Sequence, residues 1–216
     1  MITWSYVTVA IPTVPERWRA LGTLLHQVAG LCPGAAIVVA NHVPDTPARV
    51  DFPHVLAVAA RMGRPWVLQL EDDVVLAPTF GEAALAHGLD DVTGVVTLFS
   101  RSKLDVEAWS AGHPLRRIPA GAFSMSQAFF IRRELAAGVE AFAPDWYAAH
   151  PEHNRAADLL LGAYLREQKA EVRVRVPSLV QHRGLPSTLP GHRGARQSET
   201  YRAAFGEIAP AFGEVG

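Results

Sequence analysis

Apolar and polar positions along the first hundred residues fall into blocks that alternate between a strand-like and a helix-like period. Tyr6 to Ile11 is β-branched and mostly apolar, as a strand covered on both faces requires. Thr13-Val14-Pro15-Glu16 has the form of a capping box, with Thr13 as N-cap and Glu16 three residues on. Pro15 in the first turn and a stripe of Trp18, Leu21, Leu25 and Val28 predict a helix that ends near Gly30. Ala35 to Ala40 predicts a second short buried strand. A loop with Pro44, Pro47 and Pro53 follows, then a helix over His54 to Met62 and a strand over Trp66 to Leu70. This β-α-β-α-β succession predicts an α/β fold with a mostly parallel central sheet flanked by helices.

The second half is less regular. The pattern predicts a helix over Pro78 to Leu89, a strand over Gly94 to Phe99, a strand over Ala122 to Ile131 and a helix over Arg132 to Phe142. Asn154 to Gln168 predicts a capped helix, and a short one is expected near Ser198 to Ile208. Ser100 to Gly121 shows no periodicity and reads as a surface excursion long enough to be suspected of function. Glu171 to Val176 alternates strictly, which predicts a strand with one wet face carrying Arg173 and Arg175.

Composition narrows the class. With 216 residues, 49% hydrophobic and 19% charged, the chain has material for one sizeable core, and we expect a single domain spanning 1–216. Residues 1–100 make up its regular half and 101–216 its less regular half. A net charge of -1 gives no global footprint for nucleic acid or membrane. The single cysteine, Cys32, excludes an internal disulfide and suits a reducing compartment. No basic leader precedes the first apolar residues and no apolar run approaches ~20 residues, so a cytoplasmic location is expected.

The chemistry concentrates at Glu71-Asp72-Asp73, which closes the apolar run Trp66 to Leu70 and opens onto Val74-Val75-Leu76. Three adjacent carboxylates at the end of a buried strand repel one another and must be offset by a cation, a donor or water. A divalent metal with hard oxygen ligands, shared with nucleotide phosphates, is the natural remedy. The carboxyl end of a strand is also where α/β sheets bind ligands.

These pieces occur in the order found in a known family. The opening segment Val7 to Arg17, the Leu70-Glu71-Asp72-Asp73-Val74 segment, the helix with Ala157-Asp158-Leu159-Leu160-Leu161-Gly162, and the late Pro177-Ser178-Leu179-Val180-Gln181-His182 stretch cover most of the chain. Together they resemble the GT-A class of nucleotide-sugar-dependent glycosyltransferases, in a compact bacterial or phage form. The resemblance implies that Asp73 ligates Mn²⁺ or Mg²⁺, with His182 as a second protein ligand from the far end of the chain. It implies that Glu71 and Asp72 face the ribose or sugar, and that Thr13, Pro15 and Arg17 lie where the family contacts nucleobase and ribose. Asp158 is implied as the base that takes the acceptor hydroxyl's proton. The donor is expected to be a UDP-sugar. Arg183 and Arg193, with His192, Arg196 and Arg202, give the late segment a positive balance suited to a diphosphate.

The family's acidic motif is usually Asp-any-Asp, and Glu71 departs from it at the first position. Trp109, Met125, Gln127, Trp146 and Tyr147 are candidates to line an acceptor pocket, since sugars and bases stack on aromatic faces. The expected acceptor is a saccharide or small-molecule hydroxyl. A hydroxymethylated DNA base is the alternative, with Arg101, Lys103, Arg116 and Arg117 tracking the backbone. Outside the transferases stand a sugar nucleotidyltransferase and a non-catalytic nucleotide-sugar binder. The first of these expects a glycine-rich phosphate loop, and Ile11-Pro12-Thr13-Val14-Pro15 has no glycine.

Overall fold

Strand β1 (Val7–Thr13) pairs in parallel with β2 (Ala36–Asn41) on one side and with β3 (Trp66–Leu70) on the other. The structure, a computed structural model, describes residues 2–41, 48–86, 89–123, 126–153, 156–183 and 197–206, without the side chains of 48–51. Helix α1 (Trp18–Leu31) returns the chain from β1 to β2, and α2 (Ala48–Arg61) returns it from β2 to β3. Such crossovers are what parallel neighbours require. Beyond β3 the chain forms β4 (Val74–Leu76), the short α3 (Phe80–Ala83), β5 (Val95–Thr97), α4 (Lys103–Ser110) and β6 (Leu115–Ile118). It continues through β7 (Ala128–Arg132), α5 (Arg133–Ala149), α6 (Ala157–Glu167), β8 (Val172–Arg175), β9 (Val180–His182) and α7 (Glu199–Phe205).

The main sheet has seven strands in the order β2-β1-β3-β7-β5-β8-β6. Strand β7 runs antiparallel to both β3 and β5, β8 is parallel to β5, and β6 closes the edge antiparallel to β8. Five strands therefore share one direction and open their carboxyl ends on one edge. A separate ladder pairs β4 with β9. Alternation along β1 sends Val7, Val9 and Ile11 to the α1 side, where Leu21, Leu24 and Val28 cover them. Ala10, Val67, Phe129 and Ile131 face the other side, under α2, α5 and α6. At Gly94 the sheet leaves no room for a side chain, because a Cβ there would stand 1.9 Å from the Glu171 carbonyl oxygen.

The expected α/β sheet is present, with several local corrections. Thr13 is not a helix cap: a 3₁₀ turn (Pro15–Arg17) with Val14 at its N-cap precedes α1, and the Thr13 hydroxyl is committed elsewhere. Trp18 is 59% exposed, and the buried face of α1 is Ala20, Leu21, Leu24 and Val28. Strand β2 lies at the sheet edge rather than in the interior, leaving Ile37 and Val39 exposed. Helix α2 starts before His54 and includes Pro53, because Phe52, Val55, Leu56, Ala59 and Ala60 form one buried face. The helix expected over Pro78 to Leu89 is confined to α3. The excursion over Ser100 to Gly121 contains α4, capped by the Ser102 hydroxyl, and the edge strand β6. Helix α5 runs on through Pro144 to Ala149. Arg175, expected on a wet face, is buried. Asn154, the expected cap of α6, lies outside the described residues, as do Met125, His192, Arg193 and Arg196.

Candidate metal centre

Three carboxylates leave the carboxyl end of β3 in different directions, and each finds its own partners. The Glu71 N–H donates to the Gln127 carbonyl at 2.8 Å, and the Ser126 hydroxyl donates to Glu71 Oε1 at 3.0 Å. Asp72 turns back toward β1. Its Oδ2 accepts from the Thr13 hydroxyl at 2.7 Å, and its Oδ1 accepts from Arg17 Nη1 at 2.8 Å. The same guanidinium nitrogen stands 2.7 Å from Asp73 Oδ2. The Pro15–Arg17 turn gives Pro15 its place, since a proline presets the first residue of a helical turn and lacks an N–H to leave unpaired there. It brings Arg17 over the triplet.

His182 reaches Asp73 through the β4–β9 ladder. Val74 is opposite His182 in that register, and the Arg183 N–H donates to the Asp73 carbonyl at 2.9 Å. His182 Nε2 is 3.2 Å from Asp73 Oδ2. β9 is itself pinned from behind: the Gln181 amide exchanges hydrogen bonds with the backbone of Ser198, donating at 3.2 Å and accepting at 2.8 Å. Glu71, Asp73 and His182 thus each present one ligand atom, all within 4.8 Å of one another.

Electrostatics separate the two aspartates. Burial pushes the Asp72 carboxyl above the usual range, against the opposing pull of Arg17 and Thr13. Burial presses Asp73 the same way, but the His182 contact and the Arg17 charge outweigh it and hold its carboxyl below the usual range. Asp73 is fully buried. Arg17 Nη1 and His182 Nε2 both stand against Asp73 Oδ2, while among the described residues Oδ1 has no hydrogen-bond partner. A buried carboxylate held below its usual range, with one oxygen left without a partner among the described residues, is what a bound cation would complete. Two carboxylates and an imidazole gathered this closely could hold a divalent metal ion.

The structure brings Thr13, Arg17, Glu71, Asp72, Asp73, His182 and the Arg183 backbone together. Arg183 is half-buried, and its Nε lies 3.4 Å from the Val74 carbonyl. Arg193 lies outside the described residues. Asp158 stands apart: its Oδ1 accepts from the Leu159 N–H at 3.0 Å, and among the described residues no hydrogen bond or ion pair ties it to the cluster. Helix α6 leads into β8, which runs parallel to β5. Gly162, one turn after Asp158, packs against Phe123, just ahead of Ser126 and Gln127.

The suggested aromatic pocket does not form as one unit. Trp109 is on α4, which packs on β6 and α7, while Trp146 and Tyr147 are buried on α5. Trp146 stacks on His150 at 4.7 Å between ring centroids. A cavity of about 570 Å³ between α2 and α5 is lined by Pro53, Glu140, Ala143, Pro144, Tyr147, Ala148 and Pro151. Two features were missed from the sequence: Glu71 stands with Asp73 and His182 as a third potential ligand, and Ser126 orients it. The first needed the β4–β9 pairing to be known, and a lone serine in an irregular segment gives no signal.

No helix among the described residues is long and apolar enough to cross a membrane. No family model and no curated protein matches the chain. Among solved structures it is similar to a glycosyltransferase involved in the glycosylation of the major capsid of PBCV-1, at 11% identity and a TM-score of 0.43, over 79% of this chain and 93% of that one. It is also similar to A197 from STIV, at 13% identity and a TM-score of 0.47, over 81% and 83% of the two chains. Both likenesses are loose ones of architecture, and the chemistry of the site rests on its own residues.

Proposed function

We propose that the chain is a metal-dependent GT-A-type glycosyltransferase that moves a sugar from a nucleotide-sugar donor, a UDP-sugar in our reading, to a hydroxyl acceptor. The observation that carries this reading is the meeting of Glu71, Asp73 and His182 around a buried carboxylate whose Oδ1 has no hydrogen-bond partner among the described residues. These three residues would hold Mn²⁺ or Mg²⁺. Such an ion, when bound, neutralises a diphosphate and stabilises it as a leaving group. Arg17 and Arg183 stand beside the cluster as further cations for the phosphates. Thr13 and Pro15 border the side on which the nucleoside would lie.

Asp158 is assigned the proton. As the acceptor oxygen forms its bond to the anomeric carbon, the bond from that carbon to the diphosphate oxygen breaks, and the acceptor's proton passes to the Asp158 carboxylate. It stands in the first turn of α6. Residues 1–100 would thus serve the donor, and 101–216 the acceptor, together with the late metal and diphosphate segment that carries His182 and Arg183. We favour a saccharide or small-molecule acceptor over a DNA base. The net charge is -1, and Arg116 and Arg117, offered for a DNA backbone, are paired with Asp105 and Glu171.

The test is slow donor hydrolysis on adding UDP-sugars with Mn²⁺. Release of UDP supports the transferase. Release of pyrophosphate from a nucleoside triphosphate and a sugar phosphate would instead identify a nucleotidyltransferase, and neither product would leave a binding protein.

A further inference from the structure

Strict alternation along β8 predicts that Arg173 and Arg175 both point to water, and the structure treats them differently. Arg173 is half-buried and paired with Glu171 at 2.9 Å. Arg175 is only 8% exposed, and its Nε and Nη1 are buried without a hydrogen-bond partner among the described residues. Two carboxylates of the neighbouring elements are engaged by other arginines. Glu171 is held by Arg117 and Arg173, and Asp105 is held through Oδ1 by Arg116, its Oδ2 being buried without a hydrogen-bond partner among the described residues. Across the β6–β8 ladder Arg175 faces Leu115, which packs on the apolar core. Burial lowers the affinity of this guanidinium for its proton, yet arginine stays charged in proteins. A buried cation with no counter-charge is costly, and an apolar side chain of similar volume would serve packing better. Such a cost is expected where a ligand repays it.

Position adds a second, independent argument. Arg175 ends β8 at the same edge of the sheet at which β3 ends in the acidic triplet, and that edge is where α/β sheets bind ligands. β8 is separated from β3 by β7 and β5, which puts about 14 Å between the strand axes. That span exceeds a single diphosphate held at Asp73.

We infer that Arg175 is an anion-recognition residue, whose fork takes a carboxylate or phosphate group of a substrate at the end of β8, distinct from the diphosphate assigned to the acidic cluster. The planar guanidinium matches both groups bidentately. A substrate for this chain then carries a second anionic group, on the transferred sugar or on the acceptor. Anion binding is measured without donor or turnover, so this inference stands or falls separately from the transferase reading.

Thermal melts of the full chain in EDTA, at constant ionic strength, with inorganic phosphate or acetate as the probe, test it. The variants are Arg175→Met, which keeps volume and removes charge, and Arg175→Lys, which keeps charge and loses the fork. The wild-type chain should gain a saturable rise of about 3–6 °C at ten times the dissociation constant of the better probe. Arg175→Lys should need several-fold more anion, and Arg175→Met should show no saturable rise while melting at or above the wild type without anion. Preference for phosphate or for acetate identifies the group recognised. The inference is overturned if neither probe shifts the wild type, or if Arg175→Met responds as the wild type does. It is also overturned if Arg175→Met melts well below the wild type without anion, which would make the guanidinium structural.

Discussion

Replacing Arg17 by methionine should destabilise the metal-free chain strongly and make it depend on a divalent ion. Arg17 Nη1 lies 2.8 Å from Asp72 Oδ1 and 2.7 Å from Asp73 Oδ2, and the two aspartate side chains are 5% and 1% exposed. Methionine preserves the apolar stem but leaves two adjacent buried carboxylates to Thr13, His182 and the more distant charge of Arg183. Removing one partner of a buried pair typically costs about 3–5 kcal/mol. For a chain of this length each kcal/mol is worth about 2–4 °C, so the melting temperature in EDTA should fall by roughly 6–20 °C. Mn²⁺ at Glu71, Asp73 and His182 supplies the missing charge beside Asp73. At a hundredfold excess over its dissociation constant it adds about 2.7 kcal/mol, which should recover about half or more of the loss. Calorimetry of both proteins with EDTA and with Mn²⁺ reads both quantities. A loss below about 1 kcal/mol, or an equal Mn²⁺ response in a variant that remains destabilised, would refute the placement of Arg17 and the ion on the same carboxylates.

Other outcomes follow from single residues. Asp158→Asn should leave donor affinity unchanged and reduce transfer by about 10²–10⁴-fold, as loss of a general base does; weakened donor binding, or full activity, would remove Asp158 from the proton's path. The Cys32 thiol is 3% exposed and burial pushes its pKa up to about 12, so native protein should stay unreacted with a chromogenic disulfide at pH 8 while denatured protein reacts stoichiometrically. Gly94→Ala forces a Cβ against the Glu171 carbonyl at 1.9 Å and should lower stability by at least about 1–3 kcal/mol in denaturant titration.

The first half of the sheet was legible because its strands are short apolar runs separated by helices of clear period. Trp66–Leu70 is the strand its pattern requires, and the three charges where that apolar strand surfaces mark the place of the candidate metal centre. What the sequence hid was non-local. Strand β2 has the same apolar composition as β1, and only its edge position exposes Ile37 and Val39. The Thr13 hydroxyl satisfies capping-box spacing yet donates to Asp72, because that buried carboxylate binds a donor more strongly than a helix terminus does. Arg175 follows the alternation of a wet face but is covered by neighbours distant in the chain. His182 was anticipated from its segment's resemblance; that Glu71 joins it depends on the antiparallel register between β4 and β9, which composition cannot encode.

The central claim is that Glu71, Asp73 and His182 form a metal centre that holds a diphosphate. Calorimetric titration with UDP, GDP, CDP and dTDP, each with Mn²⁺ and with EDTA, tests it most directly. The account predicts that at least one nucleoside diphosphate binds tightly with Mn²⁺, that EDTA weakens it by tenfold or more, and that His182→Ala abolishes the difference. Equal affinity with and without metal, or metal dependence that survives His182→Ala intact, would contradict it.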